Sequence, residues 1–148
     1  MAKFSFRLQS VLNLKDGLEK QQKNNFAVAK RRLDDEEEKL EGLYHRLADY
    51  EEEGRKLRKK TLMLQDILDN EVYIVRVKEF IEDQKVAVRM AEQRLEEERE
   101  KLVEIMKERK TYERLREKAF DEFLEEEKHS EAVQNDEHNS YVYGIKEA

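Results

Sequence analysis

Counting from Phe26 in alternate steps of three and four residues reaches Ala29, Leu33, Glu36, Leu40, Leu43, Leu47, Tyr50, Gly54, Leu57, Thr61, Leu64 and Leu68. Most of these positions are apolar, and the residues between them are dominated by Glu, Asp, Lys and Arg. A narrow apolar seam on a 3.5-residue repeat, sustained over this length, specifies a coiled-coil helix. The seam is too thin to be one side of a thick core, so the helix must lie along another helix.

A partner stripe follows in the same chain. Ile74, Val77, Ile81, Gln84, Val88, Ala91, Leu95, Glu98, Leu102, Ile105, Arg109, Tyr112, Arg116, Ala119 and Phe123 repeat the three-four stepping. Between the stripes stands Asp69-Asn70, a pair that tolerates left-handed backbone and caps helix ends or starts. The sequence therefore predicts an all-α fold, a long two-helix antiparallel coiled-coil hairpin in one elongated domain, 1–148. The first helix is expected over about 5–68 with Ser5 as its N-cap, the turn at about 69–71 and the second helix over about 72–128. Positions equidistant from that turn should face each other, which sets Leu33 opposite Leu102 to Ile105. Between Glu19 and Asn25 no apolar residue occurs, and the early stripe of Leu8, Val11, Leu12, Leu14 and Leu18 is expected to slip phase there. Beyond Lys128 the pattern decays into turn-prone polar residues, read as a frayed tail over 129–148; its Tyr141, Val142, Tyr143 and Ile145 are either a loose terminus or a short docking peptide.

Composition agrees with long helices. Of 148 residues 45% are charged and 38% hydrophobic, and without the phasing such a chain would read as close to disordered. There is no proline to stop a helix. The net charge of −6 argues against nucleic acid as a partner, but residues 1–32 carry +6 and residues 119–148 carry −7. An antiparallel hairpin sets these opposite ends side by side, whereas a parallel dimer would stack like charge on like. The isolated chain is thus expected to be a monomer. Cysteine is absent, no segment approaches the roughly 20 apolar residues of a membrane span, and MAKFSFRLQS lacks a signal-peptide core. These features predict a soluble cytoplasmic protein with no direct membrane insertion.

Enzyme chemistry finds no foothold in the pattern. Gly17, Gly42, Gly54 and Gly144 assemble no phosphate-cradling loop, and His45, His129 and His138 do not share a helix face at metal-ligand spacing. A two-helix rod also offers no water-poor cleft in which paired carboxylates could shift their proton affinities. The chain is therefore read as a non-enzyme with no cofactor and no metal. Gly54, on the seam, is either a tolerated weak point or a hinge. Glu36, Glu98, Arg109 and Arg116, the polar seam positions, either fix register by cross-pairing or mark places where the helices part.

Phe4-Ser5-Phe6-Arg7-Leu8-Gln9-Ser10-Val11-Leu12-Asn13-Leu14-Lys15 resembles the opening of the flagellar export protein FliJ family. Glu113, Leu115, Glu117, Lys118, Asp121 and Glu122 resemble that family's charged C-terminal segment. The resemblance implies a stalk-like coiled coil, similar to the γ subunit of rotary ATPases, in the cytoplasmic part of the flagellar type III export apparatus. Its implied partners are the hexameric flagellar export ATPase ring, the export gate protein and export chaperones, with the protein held at the cytoplasmic face of the membrane through that apparatus. On this basis the ATPase end is assigned to Phe4, Phe6, Arg7, Leu8, Val11, Asp121 and Glu122; the alternative is that the rings of Phe4 and Phe6 merely staple the helix start. The turn end, with Leu62, Met63, Leu64, Ile67, Val72, Tyr73, Val75 and Phe80, is more apolar than a seam requires. There Tyr73, Phe80 and Ala87 form a heptad-spaced line, read as a gate and chaperone surface or as a surface where the chain's own turn or first-helix end folds over Tyr73. The alternative from a different class is a purely structural coiled-coil scaffold or spacer forming a homo-oligomer.

Overall fold

The computed structural model describes residues 2–60 and 63–147, except for the side chains of Lys146 and Glu147. Thr61 and Leu62, both named above, lie outside the described residues. Two helices make up the fold, α1 over Gln9–Lys59 and α2 over Leu64–Glu147, and no strand occurs among the described residues. The two helices pack antiparallel on one another, and the all-α hairpin is the observed fold.

Three boundaries differ from those expected. The chain reverses between Lys59 and Leu64, so Asp69 and Asn70 lie inside α2 instead of at the turn. Asn70 is buried, and its Nδ2 donates to the Tyr50 carbonyl across the seam at 2.9 Å. The amide that would have capped a turn is used as a cross-helix donor, and this tertiary hydrogen bond overrides the local turn tendency. At the N-terminus, residues 2–6 form a non-helical arm and α1 starts at Gln9, whose N–H donates to the Phe6 carbonyl at 3.1 Å; Ser5 is exposed and outside the helix. At the far end α2 continues through 129–147 as helix, with side chains from Lys128 to Tyr141 exposed. No proline interrupts it, and extending an existing helix needs no new nucleus.

Contacts cluster into two units, one formed by Met1–Lys20 with Val103–Ala148 and one by Gln21–Leu102. In the second unit the core is the seam itself, with Ala29, Val77, Ile81, Val88 and Ala91 buried. Three polar layers interrupt it. Gln22 Nε2 donates to the Glu98 carbonyl at 3.0 Å and to its carboxylate at 2.5 Å. Gln84 Nε2 does the same to Glu36, at 2.9 and 2.5 Å. The Asn70–Tyr50 bond is the third layer. Gln22, Glu36 and Tyr50 stand 14 residues apart along α1, as do Asn70, Gln84 and Glu98 along α2, so one register serves all three. Leu33 therefore falls opposite Ala87–Ala91 and not opposite Leu102 to Ile105, because the true turn lies nearer the N-terminus than Asp69-Asn70.

The layers also reveal an internal repeat. Arg32-Leu33-Asp34-Asp35-Glu36-Glu37-Glu38-Lys39-Leu40 on α1 matches Arg94-Leu95-Glu96-Glu97-Glu98-Arg99-Glu100-Lys101-Leu102 on α2, with Gln22 matching Gln84 and Ala29 matching Ala91 at the same offset. Each buried glutamate is held by the arginine four residues before it and the lysine three after it: Arg32 and Lys39 for Glu36, Arg94 and Lys101 for Glu98. The expected phase slip at 19–25 is absent. Burial runs through Leu12, Glu19, Gln22 and Ala29 on an unbroken three-four step, while Leu14 and Leu18 are exposed. The apolar stripe was misleading because the seam at this point is polar.

Gly54 is buried at the seam. A Cβ there would stand 2.5 Å from Asn70 Oδ1, so glycine permits the close approach that lets Asn70 reach Tyr50.

Candidate functional site

The residues assigned to the ATPase end come together in the unit of Met1–Lys20 and Val103–Ala148. The Phe4 ring meets Phe120 edge-on, with centroids 5.1 Å apart, and Phe123 at 5.5 Å. Arg116 lies over the same ring at 5.4 Å, and its Nε donates to Gln9 Oε1 at 2.9 Å. Edge-on aromatic packing and a cation over a ring face are both favourable. The N-terminal arm is therefore held down by its own aromatic residue, and Phe4, half-buried, is part of the fold as well as of any surface.

Phe6, Leu8 and Val11 are also half-buried, whereas Arg7, Asp121 and Glu122 are exposed. A shallow cavity of about 420 Å³ opens beside the arm, lined by Ala2, Phe123 and Leu124 together with charged side chains, Asp121, Glu125, Lys128 and Glu131 among them. Deeper along this unit, seam layers are ionic. Lys15 Nζ meets Glu108 at 2.7 Å, and Arg109 bridges Glu19 and Glu113. The Glu108 carboxylate raises the Lys15 pKa above its ordinary value, and Glu113 does the same for Arg109. These cross-pairings answer the open question about the polar seam positions. Arg109 and Arg116, like Glu36 and Glu98, pair across the helices and do not force them apart. The roles of Phe120 and Arg116 against Phe4 were missed by sequence reasoning, which placed Arg116 on the seam and did not single out Phe120; the aromatic pair Phe120 and Phe123, one helical turn apart, was the available signal.

The second assigned surface lies in the unit Gln21–Leu102. Tyr73 stacks on Tyr50 of α1 with centroids 5.6 Å apart, and both Tyr73 and Phe80 remain about half exposed. Ala87, next on the line, is half-buried. Beside Phe80 a groove of about 590 Å³ is lined by Gly42, Leu43, Lys39, Arg46 and Asp83. The arrangement offers an apolar ring at the edge of a charged groove, which suits a protein partner better than a reacting substrate.

No curated protein and no solved structure matches the chain. The family model described as Flagellar FliJ protein matches residues 4–147, nearly the whole length, with residues 4–6 of the N-terminal arm and both helices inside the match. The chain belongs to the FliJ family and is a flagellar export-related protein.

Proposed function

We propose that this protein is a coiled-coil, stalk-like component of the flagellar protein export apparatus, engaging the hexameric export ATPase at one surface and the export gate and cargo chaperones at another. The reading rests on family membership and on one observation: Phe4, clasped by Phe120, Phe123 and Arg116, sets the N-terminal arm in the same unit as exposed Arg7, Asp121 and Glu122. In this proposal the arm and the end of the seam enter the opening of the ATPase ring, and the exposed charges contact it. The chain performs no chemistry of its own and acts by positioning.

Replacing Asp121→Asn and Glu122→Gln together tests the ATPase surface without touching the Phe4 clasp. Binding to the export ATPase should weaken while helicity by circular dichroism stays constant. Unaltered ATPase binding and stimulation by a folded double variant would remove Asp121 and Glu122 from the surface. For the gate and chaperone surface, which we place on Tyr73, Phe80 and Ala87, Phe80→Ser is the cleaner probe, because Tyr73 also stacks within the fold. Pull-down of the gate protein should fall with thermal stability unchanged, and a stability loss without a binding defect would return Phe80 to the fold.

A further inference from the structure

The reversal between the helices concentrates positive charge. Arg55, Lys56, Arg58, Lys59 and Lys60 occupy five of six consecutive positions, and no acidic residue occurs between Glu53 and Asp66. Cations in the last turn of a helix interact well with its carbonyl end, but one or two suffice for that. Arg55 is held by Glu52 and Arg58 by Glu71. Lys56, Lys59 and Lys60 close no salt bridge among the described residues, and Lys56 and Lys59 act on Glu52 only through longer-range attraction.

From Met63 on, aliphatic side chains stand in water. Met63 is 73% exposed and Leu64 68%, and Leu68, Val72 and Val75 carry the exposed stripe along the first turns of α2. Leu68, Val72 and Val75 line a groove with Glu71, Arg76 and Glu79. The remaining acids of this region, Asp66 and Asp69, line a different groove with Tyr73 and Leu57. The stripe thus lines a different groove from Asp66, Asp69 and Tyr73, and the acids of its own groove are Glu71, paired with Arg58, and Glu79. Exposed aliphatic residues next to uncompensated cations need an occupant that is anionic and hydrocarbon-bearing together.

We propose that this end of the hairpin is a peripheral docking surface for an anionic lipid bilayer, with Lys56, Lys59 and Lys60 at the headgroup phosphates and Met63, Leu64 and Leu68 entering the acyl boundary. Among the described residues no helix is long and apolar enough to cross a membrane, so the contact is interfacial. A nucleic acid fits the cations but not the stripe. Its bases stack on aromatic rings, and the stripe from Met63 to Leu68 and on to Val72 and Val75 has none. Attraction of about fivefold in binding per basic side chain near an anionic surface gives three lysines on the order of a hundredfold. The lipid contact is independent of the ATPase and gate reading, and is measured on the isolated chain.

The test is flotation of the full-length protein with vesicles of phosphatidylcholine alone and of phosphatidylcholine mixed with phosphatidylglycerol. Binding is expected to the mixed vesicles only and to fall with added salt. Lys56→Gln, Lys59→Gln and Lys60→Gln together should lower it on the order of a hundredfold. Leu64→Ser with Leu68→Ser should lower it on the order of tenfold while leaving the salt dependence in place. Because all five side chains are exposed, helicity should not change, and circular dichroism of each variant verifies this. Equal binding to both vesicle types, no binding to either, or parental binding by the lysine variant overturns the proposal. So does parental vesicle binding by the leucine variant, above all if a single-stranded RNA oligonucleotide competes equally with parent and variant, since the cluster would then be a general polyanion patch. A variant that loses helix also overturns it, by placing these residues in the fold.

Discussion

Gln84 donates through one nitrogen to both the backbone carbonyl and the carboxylate of Glu36, and Gln22 does the same to Glu98 from the opposite helix. The glutamine hydrogen bond is the largest influence on each acid and outweighs the burial that opposes ionisation, with Arg32 and Lys39, or Arg94 and Lys101, adding attraction. Both carboxylates therefore titrate below their ordinary value of 4.5. A group whose pKa is depressed by folding stabilises the fold above its unfolded pKa and loses that contribution as pH falls through the folded value. Thermal stability should be flat above about pH 4.5 and decline below it. Glu36→Gln with Glu98→Gln should flatten the acid decline. Glu52 and Glu96, exposed and paired with Arg55 and Arg99, shift the same way. Measuring at high salt screens these and leaves the buried layers; an unchanged acid profile in the double variant would remove the two glutamates from acid stability.

The register set by the three layers makes a distance prediction. Spin labels on Asp34→Cys and Arg89→Cys should be close within one molecule, and labels on Asp34→Cys and Glu96→Cys measurably farther apart, because Glu96 lies about 10 Å further along the helix axis, seven residues at 1.5 Å each. A turn at Asp69-Asn70 would reverse that order. Pulsed dipolar spectroscopy on the chain diluted with unlabelled protein distinguishes the two, and concentration-dependent distances would point to pairing between molecules.

Gly54→Ala sets helix propensity against crowding. Alanine gains about 1 kcal/mol over glycine in a helix interior. A Cβ 2.5 Å from Asn70 Oδ1 forces a shift of the kind that costs about 1–3 kcal/mol. The net effect should be a loss on the order of 1 kcal/mol. In Gly54→Ala with Asn70→Ala the clash is gone, so the double variant should lose less than the two single losses combined. Chemical denaturation of the four chains gives the cycle, and simple additivity would mean the close approach does not matter.

Phe4→Ala should release the N-terminal arm while leaving α2 intact. Its two ring contacts and the Arg116 contact together supply about 1–2 kcal/mol of local anchoring. Trypsin should cut after Arg7 faster in the variant, and in Phe120→Ala to a similar degree. An unchanged cleavage rate would show that the arm is held by something other than the rings.

Most of the hairpin was legible because its seam is a periodic signal. Leu33, Leu40, Leu43, Val77, Ile81, Val88 and Leu95 needed only counting. What failed were the places where polar residues occupy the seam. Glu19 and Gln22 looked like a gap, and Asn70 looked like a turn, because an amide's role depends on a partner from the other helix that local sequence does not reveal. The displaced turn then carried the register with it. At the candidate surfaces, Phe4 and Phe80 stood out by type, but Tyr50 under Tyr73 and Phe120 under Phe4 became visible only once the helices were paired.

The repeat on α1 and α2 has a practical reach. Glu36 and Glu98 sit in the same local phrase, each facing a glutamine from the other helix, so a staple, probe or unnatural side chain tuned at one of them transfers unchanged to a second place 62 positions further on. The same equivalence predicts crowding of signals in magnetic resonance spectra. Arg32–Leu40 and Arg94–Leu102 present nearly the same neighbours to their nuclei, and isotope labelling confined to one helix will be needed to separate them.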